Sequence, residues 1–261
     1  MRECSSNSLL RNGGNMRLIE PSVEIISPMK REDVLPLLER IGRTCYKSED
    51  RITDDSASKF VKMLAVRKHH AMLEHYSVSV LFICDRGVSH EIVRHRLASY
   101  AQESTRYCDY NKSKFDNQIT CILPSWFKSF GAGEYMWRNH KKDCILRVIA
   151  PTEKDGCPFV TVSDFYKDST WNHPEIKFIR QMLWTEDTYM TLRKDGWKPE
   201  EARSVLVNAQ KTEIVMTANL REWLHFFTMR DSPFAHPQMR QLASVLHDKS
   251  IKELPEIYDE Y

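Results

Sequence analysis

Apolar and polar positions along the chain predict four β-strands. Residues 17–27 and the run "YSVSVLFIC" at 76–84 are rich in β-branched and other apolar side chains, a composition typical of strands; the first run is interrupted by Pro21. The segments "QITCILP" at 118–124 and "TEIVMTA" at 212–218 have a similar composition and predict two further strands.

Between these runs, apolar residues recur every three or four positions, which predicts amphipathic helices. The first such segment contains Pro36, which a helix tolerates if it begins there. Asn219, with Glu222 three residues later, has the pattern of a capping box, and Ser89 is suited to cap a short helix that carries residues 91–96. The helical segments are 34–45, 54–67, 175–194, a start at Pro199, a helix after Asn219 and a last one at 239–246.

These elements predict an α+β fold, with one domain in which a mixed or antiparallel sheet is flanked by helices. The domain is expected at 17–250, after a polar, flexible N-terminal arm at 1–16 and before a C-terminal tail at 251–261. Residues 125–174 combine glycine, proline and mixed charge, so we interpret them as an elaboration on the core. One hairpin is possible there, around "EKDGCPFV" at 153–160.

Composition narrows the possible classes of protein. The formal net charge of the 261 residues is only +2, so no global field favours bulk nucleic acid as a partner. Nowhere does the sequence contain the roughly 20 successive apolar residues that a membrane-spanning helix needs, and the N-terminal stretch lacks a signal-peptide core. The seven cysteines include no C-x-x-C pair, which indicates reduced thiols. We therefore expect a cytoplasmic protein with neither a membrane nor a nucleic-acid partner.

Two common ligand motifs are not matched. The run "HHAMLEH" at 69–75 spaces its last histidine as H-x-x-x-E-H, one residue longer than the metal-binding pattern H-x-x-E-H, so no metal site is predicted. Neither G-x-G-x-x-G nor a P-loop occurs in the sequence. A bound nucleotide would therefore need side-chain donors for its phosphates, and arginine suits that role best.

Such donors are concentrated in "VRHRLASYAQESTRY" at 93–107, where arginines are followed by hydroxyl and amide side chains. One interpretation is a solvated basic surface, and the other is a site for a phosphorylated ligand whose ribose or base meets the neutral groups. A nucleic-acid-binding protein would use the same arginines on phosphates, and the near-neutral net charge argues against it.

Within this segment, "RHRLASYAQES" has the pattern R-H-R, seven residues, then S, and "TRY" follows directly. It resembles the signature of the flavin-dependent thymidylate synthases, the ThyX family. The resemblance extends over 17–124 and 175–250, but not over the first 16 residues or 125–174. Other similar segments lie at 41–48, 69–75, 200–209, 217–230 and 235–240.

The resemblance implies an enzyme that converts dUMP to dTMP; the alternative is a different flavin or nucleotide enzyme on a similar scaffold. In that family, methylenetetrahydrofolate supplies the carbon, NADPH supplies the reducing power through FAD, and the active sites are shared between the subunits of a homotetramer. Arg230 corresponds to the arginine that activates the uracil, and Arg203 to the arginine that reaches dUMP from a second subunit.

The remaining site residues implied by the resemblance form two groups. Those that correspond to FAD-binding positions are His69, Ala71, Arg94, His95, Arg96, Gln102, Asn219, Arg221 and His225. Those that correspond to dUMP-binding positions are Glu91, Arg94, Gln102, Glu103, Ser104, Thr105, Arg106, Arg203 and Arg230. The sequence departs from the family pattern at three positions, namely Ala71, Ala101 and Phe234.

Overall fold

The computed structural model describes residues 15–140, 143–149, 159–161 and 173–259. Their contacts divide the chain into two compact units, each built from two stretches of sequence. The first unit combines the chain up to Glu20 with Glu103–Lys211, and the second combines Pro21–Gln102 with Thr212–Tyr261. The predicted α+β class is confirmed, whereas the single domain and its boundaries stay predictions.

The first unit contains a five-stranded mixed sheet, in the order β5-β1-β6-β7-β8. Strand β1 (Asn15–Ile19) runs parallel to β5 (Ile119–Ile122) and antiparallel to β6 (Gly133–His140). The sheet continues with β7 (Asp143–Ile149) and β8 (Phe159–Thr161), both antiparallel to their neighbours. The elaboration at 125–174 therefore contributes strands to this sheet.

The hairpin predicted at 153–160 lies largely outside the described residues: only its last two positions are described, and they belong to β8. Of the expected N-terminal arm, Asn15 and Met16 already lie in β1, and residues 1–14 are outside the described part.

Helices α4 (Pro174–Lys194) and α5 (Pro199–Ala202) belong to the same unit, followed by a 3₁₀ helix at Arg203–Val205. Fully buried side chains of β1 and α4, such as Leu18 and Ile179, belong to one hydrophobic core. Burial of that apolar face is what stabilises a helix of this length against the sheet.

The second unit has a four-stranded sheet in the order β2-β3-β9-β4. Its strands are β2 (Ser22–Ile25), β3 (Ser77–Asp85), β4 (Ala98–Gln102) and β9 (Lys211–Asn219). The expectation of one sheet is thus wrong: the first predicted strand breaks at Pro21, and its two halves join different sheets. Strand β4 was not predicted, because its side chains are all partly or fully exposed and show no apolar alternation.

The helices of this unit are α1 to α3 and α6 to α8, and they enclose a second hydrophobic core. A 3₁₀ helix at His70–His75 precedes β3. The helix bounds are α1 (Arg31–Tyr46), α2 (Ser56–Val66), α3 (Arg86–Ile92), α6 (Leu220–Arg230), α7 (Pro237–Glu253) and α8 (Pro255–Tyr258).

Three local expectations are corrected by these bounds. Helix α1 begins at Arg31, so Pro36 lies inside it. Helix α3 is capped by Asp85, whose Oδ1 accepts the amide of Val88 at 2.6 Å, and Ser89 is a buried residue within the helix. Because α3 ends at Ile92, residues 94–96 follow the helix and do not belong to it.

The segment set apart as a C-terminal tail is helical as far as Tyr258. Leu254, Ile257 and Tyr258 are each at most 1% exposed and belong to the core of the second unit. Their spacing of three and four residues brings them to one face, and that burial holds the segment in place. Throughout the part of the chain that is described, no helix combines the length and the hydrophobicity needed to cross a bilayer.

Candidate active site

The second unit contains a groove with a volume of about 940 Å³. It lies where the segment after α3, the end of β9, the first turns of α6 and the 3₁₀ helix at His70–His75 meet. Six of the nine residues expected to contact FAD line it. They are Arg94, His95, Arg96, Asn219, Arg221 and His225.

The turn that follows α3 presents the arginine segment to this groove. The backbone amides of Val93, Arg94 and His95 bond back to the last carbonyls of the helix. The single hydrogen of the Tyr100 hydroxyl is shared between the carbonyls of Ile92, at 3.0 Å, and His95. Burial raises the pKa of Tyr100 to about 12, so its hydroxyl keeps this hydrogen even in alkaline solution.

The lining of the groove carries three arginines and two glutamates, an excess of one positive charge. Arg94 and Arg96 are exposed there, and Arg221 forms an exposed ion pair with Glu74 of the 3₁₀ helix. An exposed pair of this kind contributes little to stability, so the Arg221 guanidinium can exchange its partner for a ligand at low cost.

At the inner side of the groove His95 is only 4% exposed. Its Nδ1 lies 3.1 Å from Glu222 Oε1, and its Nε2 accepts a hydrogen bond of 3.1 Å from Arg230 Nε. Burial lowers the pKa of His95, and the neighbouring Arg230 lowers it further against the opposing effect of Glu222. His95 is therefore neutral at physiological pH.

Arg230 is the last residue of α6, and three of its nitrogens are engaged. Besides the contact with His95, Nη1 donates to Glu91 Oε2 at 2.8 Å and Nη2 donates to the Glu91 carbonyl at 2.9 Å. This carbonyl lies in the last turn of α3 and also accepts the backbone amide of Arg94 at 3.2 Å, so it uses both of its lone pairs. Two residues expected to meet the substrate, Glu91 and Arg230, are thus paired although 139 positions separate them.

Asn219 performs the predicted capping of α6, with its Oδ1 accepting the Glu222 amide at 2.9 Å. The Glu222 carboxylate bonds to His95, so the second contact of a capping box is replaced by a long-range one. Sequence reasoning missed the role of Glu222 beside His95, because its position in the first turn already had a local explanation.

Three residues expected to bind FAD do not line the groove. His69 bonds through Nδ1 to the Tyr46 hydroxyl at 2.9 Å, and Ala71 lies in the 3₁₀ helix that follows. The amide nitrogen of Gln102 donates to the hydroxyls of Ser89, at 2.9 Å, and Thr212, at 3.2 Å. Their contacts with FAD stay predictions.

The other expected dUMP residues belong to the first unit. Arg203 Nη1 donates to the hydroxyl of the buried Thr105 at 3.3 Å, and Ser104 Oγ accepts the amide of Arg106 at 3.3 Å. The Arg106 guanidinium forms an exposed ion pair with Glu200, 3.7 Å from Oε2. The turn thus combines two hydroxyls with two arginines, a set of side chains suited to a phosphate group.

The Glu103 carboxylate is occupied by hydrogen bonds to two other residues of the first unit. It accepts bonds from Lys211 Nζ at 3.0 Å and from the Tyr110 hydroxyl at 2.8 Å. Of the residues that depart from the family pattern, Ala101 is exposed in β4, and Phe234 is 99% exposed after α6.

One group of possible metal ligands lies in the groove, since the ligand atoms of His95, Glu222 and His225 are all within 4.8 Å of one another. Both ring nitrogens of His95 already have partners, and Arg230 contacts one of them. Arginines also line the groove around this group, so a metal cation would be bound against positive charge.

The groove has the size and the side chains of a site for an anionic ligand of nucleotide size: three arginines line it, and its volume is at the upper end of ligand pockets, roughly 300–1,000 Å³. The family described as Thy1, thymidylate synthase complementing protein, matches residues 26–256. The chain belongs to this family.

Relatives agree with this membership. The flavin-dependent thymidylate synthase of Mycobacterium tuberculosis is 31% identical over 210 residues, which cover 79% of this chain and 71% of that protein. The enzyme of the same description from Mycolicibacterium gilvum is 27% identical over 228 residues, covering 86% and 78%.

Two crystal structures have a similar fold. The UMP/dUMP methylase PolB from Streptomyces cacaoi, bound with 5-Br dUMP, has a TM-score of 0.62 at 19% identity, covering 94% of this chain and 95% of that one. Thymidylate synthase X from Helicobacter pylori, with FAD and dUMP, has a TM-score of 0.58 at 16% identity, covering 92% and 97%.

Proposed function

We propose that this protein is a flavin-dependent thymidylate synthase, which methylates dUMP reductively to dTMP. FAD is its cofactor, methylenetetrahydrofolate is the carbon donor and NADPH is the reductant. The observation that carries the proposal is Arg230, held by Glu91 and His95 next to a groove lined by Arg94, Arg96 and Arg221.

The donor set of the groove fits FAD. A dinucleotide carries two phosphates and many hydrogen-bonding groups, and the groove offers three arginines together with the side chains of Asn219 and His225. These residues would hold the cofactor through charge-assisted hydrogen bonds, without a glycine-rich loop. When bound and reduced, FAD supplies a hydride.

Arg230 has the properties needed to activate the pyrimidine. Uracil C5 is a poor nucleophile and gains electron density when negative charge on the ring is stabilised. A guanidinium keeps its charge at any working pH, and here its hydrogen bonds restrict its orientation before substrate binds. C5 then takes the one-carbon group and releases its hydrogen as a proton.

The phosphate and sugar of dUMP are assigned to the turn at 104–106 together with Arg203. Arg106 and Arg203 supply charge, and Ser104 and Thr105 supply hydroxyls. Ser104 is proposed to bind and not to attack, because a serine nucleophile needs a positioned base and the only histidine of the signature, His95, is occupied by Glu222 and Arg230.

We further propose that the active protein is a cytoplasmic homotetramer with shared active sites. The support is the resemblance to the ThyX family, which implies a homotetramer in which Arg203 reaches the dUMP of another subunit. Light scattering of the FAD-loaded protein is expected to give the mass of four chains, and a stable, active monomer would contradict this assembly.

The function is tested on the purified protein in two steps. Its absorption spectrum and the flavin released on denaturation are expected to identify FAD. Tritium release from C5-labelled dUMP is then expected only when both methylenetetrahydrofolate and NADPH are present. Failure to bind added FAD, or no tritium release from flavin-loaded protein, would refute the proposed function.

A further inference from the structure

A line of three side chains connects the first turn of α6 to its last residue. Glu222 Oε1 lies 3.1 Å from His95 Nδ1, and His95 Nε2 lies 3.1 Å from Arg230 Nε. Glu222 and His95 are 6% and 4% exposed, so water cannot readily replace either partner. None of the roles assigned so far explains why a buried carboxylate ends this line.

The direction of the hydrogen bonds follows from Arg230. A guanidinium nitrogen can only donate, so His95 Nε2 must accept and can carry no hydrogen. The neutral ring therefore carries its hydrogen on Nδ1, which points at Glu222 Oε1. The Glu222 carboxylate accepts a hydrogen bond from Nδ1–H and so favours this tautomer over the one with its hydrogen on Nε2.

We propose that Glu222 is a positioning residue for the reaction: by holding His95 as the Nδ1–H tautomer, it keeps Nε2 available to orient the Arg230 guanidinium toward the pyrimidine. The proposal rests on the proposed function, since Arg230 acts on dUMP only if that function is correct. It assigns Glu222 a role that it exerts entirely through His95.

A purely structural role for Glu222 is the alternative. A carboxylate in the first turn of a helix stabilises it through the helix dipole. That role needs only the charge, whereas the positioning role needs a hydrogen-bond acceptor facing Nδ1. A glutamine at this position has no charge but can still accept, so it separates the two roles.

Protonation of His95 would disrupt the line, because Nε2–H and the Arg230 Nε–H would then face each other. The charged and titratable groups around the ring are Glu222, His225 and Arg230 from α6, with the Tyr100 hydroxyl of β4 on the His95 carbonyl. Burial lowers the pKa of His95, so the line is intact at neutral pH and is lost on acidification.

The experiment compares Glu222→Leu, Glu222→Gln and a control, Asp33→Asn. Asp33 occupies the same third position of its own helix, α1, and is exposed, so its substitution removes a first-turn carboxylate far along the chain from the signature. For each FAD-loaded protein, kcat and KM for dUMP, thermal melting and the ¹⁵N NMR signals of the histidine rings are measured. Assignment of the His95 signals uses His95→Gln.

We expect the Nδ1–H tautomer of His95 in wild type, and a loss of that single tautomer in Glu222→Leu. In Glu222→Leu the Arg230 guanidinium keeps its two bonds to Glu91 but loses the fixed acceptor at Nε. Because it then adopts productive orientations less often, kcat falls by about 10- to 100-fold while KM changes little. Glu222→Gln recovers most of this loss. Asp33→Asn keeps the wild-type kcat.

Three outcomes overturn the proposal. A folded, FAD-loaded Glu222→Leu with wild-type kcat would leave the carboxylate a structural role only. Equal loss of turnover in the leucine and glutamine variants would show that charge, and not acceptance from Nδ1, is what matters. A wild-type spectrum with the hydrogen on Nε2 would exclude the line itself. A wild type that forms no dTMP refutes the proposed function instead, and the NMR spectrum then still tests the geometry.

Discussion

Replacement of Arg230 tests the electrostatic part of the mechanism most directly. Its side chain is 16% exposed and is bonded to the Glu91 carboxylate, the Glu91 carbonyl and His95. Arg230→Ala removes the whole charge from a partly dehydrated site, and loss of one such preorganised group typically costs on the order of 10²–10³ in rate. Arg230→Lys keeps a charge, but an ammonium group cannot reproduce the planar fork, so an intermediate loss is expected.

The competing explanation for Arg230 is a cation that stabilises the C-terminal end of α6, worth roughly 0.3–1 kcal/mol. Arg193 offers a matched control, because it lies in the last turn of α4, is also 16% exposed and bonds both oxygens of the Asp109 carboxylate. Arg193→Ala is expected to lower the melting temperature without a specific loss of kcat.

The assay is tritium release from C5-labelled dUMP, with flavin content and thermal melting measured for every variant. Arg230→Ala should keep its flavin and lose turnover far beyond Arg193→Ala at comparable stability. If Arg230→Ala stays loaded with FAD and turns over within a few-fold of wild type, the cation does not activate the pyrimidine and the assignment is wrong.

Three further predictions concern other parts of the chain. Burial raises the pKa of Glu186 to about 8 from an ordinary 4.5, so between these pH values the folded protein keeps a proton that the unfolded chain releases, and stability falls as pH rises. Glu186→Gln should therefore raise the free energy of unfolding above pH 8, by up to about 5 kcal/mol, and change it little near pH 4.5. Urea titrations at both pH values would measure the difference. Ser104→Ala should keep measurable turnover with weaker dUMP binding, and complete loss of chemistry in a folded variant that still binds FAD and dUMP would make Ser104 the nucleophile. Asp85→Ala should lower the free energy of unfolding by about 1 kcal/mol through loss of the α3 cap, whereas a neutral result in denaturant titration would deny that the bond to Val88 contributes.

Much of the secondary structure could be predicted from sequence because the signals are local. The spacing of apolar residues predicted a helix at 175–194, and α4 spans Pro174–Lys194. Asn219 was expected to cap the next helix and does so. In these cases the interacting residues are within one or two turns of each other, so a short window of sequence contains the whole interaction.

Local reasoning failed where two nearby signals competed or where no apolar pattern existed. Ser89 and Asp85 are both good capping residues, and the helix begins after Asp85 because β3 continues that far. Strand β4 is polar and partly exposed along its length, so only its pairing with β9 reveals it. Strand pairing between distant segments has no signature in either segment alone.

The sequence by itself determined which residues are candidates for the site, since the signature at 94–104 is contiguous and its resemblance names the ligand chemistry. Only the tertiary structure decided how the charges are paired. His95 and Glu222 are 127 positions apart, and Glu91 and Arg230 are 139 apart, yet both pairs are within hydrogen-bond distance. The physical reason is that hydrophobic burial of β3, β9 and α6 around one core brings these segments together, and polar contacts between them follow from that packing.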